Sequence, residues 1–77
     1  MAESANVSTL ILAHVTGTVW KVEKQPGDAV REGESVIVLE SMKMELPVES
    51  PVSGRVSELR CAAGQAVEEG AVLAVVE

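Results

Sequence analysis

The apolar positions of this chain fall in short, mostly valine-rich blocks, and turn signals separate the blocks. Val36-Ile37-Val38-Leu39 is one such block, and Leu46 to Val48 follows a few residues later. Extended segments are predicted at about 8–14, 18–24, 29–31, 35–40, 44–50, 55–61, 66–68 and 72–77. Between them stand Thr16-Gly17, Pro26-Gly27-Asp28, Glu32-Gly33, Ser53-Gly54, Gly64-Gln65 and Glu69-Gly70, built from residues that favour chain reversal. Eight short strands at this close, regular spacing predict an all-β sandwich or barrel. Residues 1–7 are short and polar and read as a flexible N-terminal arm, leaving 8–77 as the domain.

The blocks repeat. Val15-Thr16-Gly17-Thr18-Val19 resembles Val52-Ser53-Gly54-Arg55-Val56, a shift of 37 residues. The same shift carries Gly27 onto Gly64, Val30 onto Val67, Gly33 onto Gly70, Val36 onto Leu73, Val38 onto Val75 and Glu40 onto Glu77. Two four-strand units, neither able to bury its apolar face alone, are expected to pack about a pseudo-twofold axis. They join at residues 41–44, which predicts a hairpin close to that axis, with the chain ends together at the opposite pole.

The junction itself is Glu40-Ser41-Met42-Lys43-Met44-Glu45. The direction must reverse there, yet it holds no Gly, Pro, Asn or Asp. A turn of Met-Lys-Met places a lysine at an exposed tip between two large apolar side chains. A tip carried on a closed β framework, away from the chain ends, suits the carriage of something attached to it.

Composition narrows the function classes. With 77 residues there is room for one small domain, and 47% hydrophobic residues suffice for a core. The core must be aliphatic, since Trp20 is the only aromatic residue. Twelve acidic against six basic residues give a net charge of −6, which leaves no basic face for nucleic acid. Leu10 to Ala13 is too short for a signal peptide or a membrane span, so no membrane partner is expected. The single cysteine, Cys61, cannot form an internal disulfide, and no Cys/His cluster offers a metal site. A reducing, cytoplasmic setting and a monomer for the isolated domain are the expectations.

The six central residues, set between two glycine-marked half-repeats, resemble the biotin attachment motif of biotin carboxyl carrier domains in the biotinyl/lipoyl attachment family. The resemblance runs from about Thr9 to Glu77. It implies a flattened β-barrel or sandwich of two four-stranded antiparallel sheets, with the modified lysine at a hairpin tip. Lys43 then corresponds to the lysine to which biotin protein ligase joins biotin by an amide, with Met42 and Met44 as the flanking methionines. Glu40 and Glu45 become candidates for recognition by the ligase or another partner. The family carries carboxybiotin from a biotin carboxylase to a carboxyltransferase acting on an acyl-CoA, keto acid or urea, as in fatty acid biosynthesis. The carrier is not itself an enzyme. Two departures stand out. Glu23 to Asp28 leaves room only for a turn, where some bacterial carriers have a protruding segment that touches biotin. The chain also begins a few residues before its first strand, which reads as a standalone carrier or an excised domain.

Two other readings stay open. A lipoyl carrier of a 2-oxoacid dehydrogenase complex shares the fold, but usually has Asp before the lysine and Ala after it. An unmodified adaptor built on the same barrel is the second. Elsewhere, Trp20 is read as partly buried core, His14 as a surface residue, Ser41 as a turn residue and Cys61 as a half-exposed strand residue. The six glycines are read as structural.

Overall fold

A computed structural model describes residues 8–77, so the N-terminal arm expected over 1–7 lies outside the described residues. Eight strands form where short apolar blocks alternate with turns: β1 (Thr9–Leu12), β2 (Gly17–Val22), β3 (Ala29–Val30), β4 (Ser35–Ser41), β5 (Met44–Glu49), β6 (Gly54–Leu59), β7 (Ala66–Val67) and β8 (Val72–Val76). They build two four-stranded antiparallel sheets, ordered β1-β8-β6-β3 and β5-β4-β2-β7. The sandwich expected from the sequence is the fold observed.

The 37-residue shift maps one sheet onto the other, strand for strand and register for register. Thr9 pairs with Val76 as Leu46 pairs with Leu39, and Leu10 with Val75 as Pro47 with Val38. Gly17 pairs with Val67 as Gly54 does with Val30. The turns obey it too: Gly27 N–H donates to Val56 O and Gly64 N–H to Val19 O, both at 2.7 Å. Each sheet takes two strands from each half, so the halves interlock. Neither half could close a core alone.

The same mapping corrects the expected place of the hairpin. A twofold that carries Leu39–Leu46 onto Val76–Thr9 carries the hairpin onto the region of Ser8 and Glu77, whose side chains meet at 3.2 Å. An operation that exchanges two distant poles passes midway between them. The hairpin is therefore far from the axis, although the ends of the described chain do lie at the opposite pole.

The core is aliphatic and continuous. Ile11, Val36, Ile37, Leu39 and Leu73 are almost wholly buried, joined by the inward valines of β2 and β6. Bulges between Ser35 and Ile37 on β4 and between Val19 and Lys21 on β2 break the simple two-residue alternation. Trp20 is the residue left over at the second bulge. It is 48% exposed, so its expected place in the core is corrected. It turns outward and lines a shallow groove with Val22, Leu59 and Cys61, straddling the twofold that relates Val22 to Leu59.

Gly27, Gly33, Gly64 and Gly70 hold φ values of +86° to +95°, in turns where an added Cβ would meet nothing. Their role is conformational freedom alone. Gly27→Val and Gly64→Val are each expected to lower stability by about 1–3 kcal/mol, since a β-branched side chain tolerates positive φ poorly. Urea unfolding measures it, and an unchanged midpoint in either variant would contradict this account of the turns.

Candidate functional site

The chain reverses over two residues only. Ser41 pairs with Met44, and Met42 and Lys43 span the gap with φ of 53° and 65°. Two successive left-handed residues make a type I′ turn, whose twist matches that of the strands it joins and which normally calls for Asn-Gly. A side chain in this region costs roughly 1–2 kcal/mol per residue. Ser41, expected in the turn, instead ends β4. Met42 and Lys43 have unbranched Cβ carbons, which lessens the cost.

The ladder below the turn sustains that strain. Ser41↔Met44, Glu40↔Glu45, Leu39↔Leu46 and Val38↔Pro47 pair in unbroken register, and β4 is held on its other edge by β2 through Thr18↔Glu40. Gly17 allows that close approach: a Cβ there would lie 2.5 Å from the carbonyl oxygen of Glu40. Gly17 thus supports the site, beyond the structural role read from the repeat alone. Its signal in the sequence was its repeat mate Gly54, which meets the carbonyl of Glu77 in the same way.

Three unfavourable features converge within six residues. The turn is strained. Met42 is 91% exposed and Met44 59%, both large apolar side chains. Glu40 and Glu45 stand directly opposite one another, both exposed, and like charges so placed repel. A fold that satisfies local rules elsewhere and breaks several together usually does so where it works. The outcome is a primary amine, Lys43 Nζ, held in solvent at the end of a rigid ladder. It joins none of the ion pairs among the described residues, which involve Lys21, Lys24 and Arg60.

Other candidate chemistry falls away. His14 is exposed, as expected. Cys61 lies just beyond β6 rather than within a strand, and burial pushes its thiol up, away from a reactive thiolate. Among the described residues no group of three His, Cys, Asp or Glu side chains is placed to hold a metal ion.

Met42→Asn is expected to stabilise the domain by about 1 kcal/mol, because asparagine tolerates the left-handed region that Met42 occupies. Thermal unfolding checks it, and a lower midpoint would show that the turn is unstrained.

Comparison with known proteins gives a consistent result. A family model described as "Biotin-requiring enzyme" matches residues 5–76. The chain is 44% identical over 59 residues to the "Biotin/lipoyl attachment protein" of Bacillus subtilis, covering 77% of this chain and 81% of that protein. It is 36% identical over 72 residues to the mitochondrial propionyl-CoA carboxylase alpha chain of Homo sapiens, covering 94% of this chain but only 10% of that one. In three dimensions it superposes on the crystal structure of Kluyveromyces lactis urea carboxylase with a TM-score of 0.88 at 34% identity. That match takes in 99% of this chain and 7% of the other.

Proposed function

Because the chain belongs to the biotin-requiring, biotinyl/lipoyl attachment family, we propose that it is a non-catalytic biotin carrier whose attachment point is Lys43. The observation that carries this reading is the Lys43 amine, exposed on a strained two-residue turn and flanked by exposed methionines. The residues fit the group. Attachment needs an unhindered primary amine, and the new amide joins Nζ to the biotin carboxyl carbon with loss of an activating group and a proton. Amide formation uses the neutral amine, so biotin protein ligase would have to accept a proton from Nζ.

When bound, the cofactor supplies a ring nitrogen that can hold a carboxyl group. The chain's own part is mechanical. The rigid ladder presents Lys43 at one pole, and the lysine stem with the biotin side chain reaches on the order of 10–15 Å beyond it. Transfer between the active sites of a biotin carboxylase and a carboxyltransferase then becomes nearly intramolecular, with effective concentrations on the order of mM. The turn over Glu23–Asp28 supports a free arm, since the chain has no protruding segment there to pack on it. Met42 and Met44 offer adaptable apolar contact to several partners. The opposed Glu40 and Glu45 would be relieved by a cationic group from the ligase or a carboxylase.

The Bacillus relative's name covers lipoyl attachment as well, so a lipoyl carrier is the second reading. Methionine on both sides of Lys43 favours biotin. Protein made with a biotin ligase and, separately, with a lipoate ligase decides between them by intact mass and by avidin and anti-lipoate blotting. An adduct on Lys43 that binds avidin supports the proposal. Modification by lipoate alone, or none by either, overturns it.

A further inference from the structure

The hairpin holds oxidisable sulfur as well as an amine. The sequence has three methionines, and Met42 and Met44 are the two among the described residues. Methionine ordinarily fills gaps in a core. Here the buried core is valine, leucine, isoleucine and alanine, with Cys61 at its margin and no methionine inside. Both thioethers stand in solvent instead, on either side of Lys43, with Met42 91% and Met44 59% exposed. Leucine would give similar apolar contact there without an oxidisable atom. Cys61 is half-buried in the groove beside Trp20. Burial pushes its thiol up, whereas the thiolate is the form that reacts with peroxide.

We propose that Met42 and Met44 form a reversible oxidation site that governs the access of partner proteins to Lys43. The step is a two-electron oxidation by a hydroperoxide. A thioether lone pair attacks the terminal peroxide oxygen, the O–O bond breaks, and the departing alkoxide or hydroxide takes the hydroperoxide proton. The products are a sulfoxide and an alcohol or water. Oxidation thus adds a strong hydrogen-bond acceptor without adding net charge. In the free chain water satisfies that oxygen, and the fold is unaffected because neither side chain belongs to the core. A partner that encloses Lys43 strips the water away and leaves the acceptor without a donor. The flanks are therefore apolar contacts when reduced and a polar barrier when oxidised. This inference rests on the carrier reading of Lys43.

The test treats the full chain with hydrogen peroxide, removes the peroxide, and adds a thiol reductant that reverses cysteine oxidation but leaves sulfoxides. Treated and untreated chains are offered to a biotin ligase. After biotinylation to completion, both are offered to a biotin carboxylase with ATP and bicarbonate. Peptide mass mapping is expected to find one oxygen on each hairpin methionine, Met42 before Met44, with the unfolding midpoint unchanged. At least one of the two reactions should lose about tenfold in kcat/KM, and methionine sulfoxide reductases, one for each epimer, should restore it. Met42→Leu with Met44→Leu should lose the sensitivity, read as the ratio of treated to untreated rates. Undiminished rates in both reactions despite an oxidised hairpin overturn the proposal. So does sensitivity that persists in the leucine variant, or a fall in the unfolding midpoint on oxidation. An untreated chain that takes no biotin overturns the carrier reading, and this inference with it.

Discussion

Lys43→Ala is expected to abolish biotin incorporation completely, while unfolding free energy stays within about 0.5 kcal/mol of wild type. The chemistry leaves no substitute. Lys21 and Lys24 are the only other lysines, and Lys24 is tied to Glu34 at 3.0 Å while Lys21 lies 3.7 Å from Glu23. Neither stands on a turn that a partner could enclose from all sides. The fold is indifferent because position 43 contributes nothing to the core, and alanine inherits the same left-handed φ of 65°. Lys43→Arg separates charge from nucleophile: it keeps the cation, yet the guanidinium forms no amide, so incorporation is lost equally. The checks are intact mass after coexpression with a biotin ligase, and urea unfolding of the same samples. Residual avidin binding in Lys43→Ala would place the attachment elsewhere, and a large loss of stability would mean that the tip packs against the body.

Gly17→Ala is expected to lower stability by about 2–3 kcal/mol and also to slow modification of the molecules that remain folded. The added methyl would sit 2.5 Å from the carbonyl oxygen of Glu40 and 3.4 Å from the Ser41 Cβ, and neither belongs to a flexible side-chain end that can swing aside. Relief requires β2 and β4 to separate at Thr18↔Glu40, at the base of the ladder that holds the Met42-Lys43 turn. Gly54→Ala is the control. Its methyl would meet the Glu77 carbonyl oxygen at 2.5 Å and Val76 Cγ1 at 2.9 Å, a comparable clash at the opposite pole. It should cost similar stability yet leave the modification rate of the folded fraction unchanged. In a domain of this size the loss appears as a fall in Tm of roughly 10–20 °C. Equal modification rates in the two variants would show that hairpin geometry does not govern recognition.

Much of this was legible along the chain. The valine-rich blocks and their turn signals located the eight strands, and the 37-residue repeat was reproduced pair by pair in the registers. Strand ends were less legible. β4 runs on to Ser41 because a two-residue turn lets pairing continue to the last rung, and β6 stops at Leu59, leaving Cys61 outside it. The exposure of Trp20 is not legible in the sequence because it follows from a bulge, and a bulge is a property of two strands together. The hairpin's distance from the axis is not legible either, because the junction of two repeats in sequence need not lie on the symmetry element that relates them in space.

By itself, then, the sequence determined the strand pattern, the duplication and the odd lysine-bearing junction, because each is written in the order and spacing of residues. The tertiary structure alone decided that the halves interlock and that the junction closes as a strained type I′ turn with Gly17 at its base. Those outcomes depend on which strands become neighbours, and pairing across the sheets settles that.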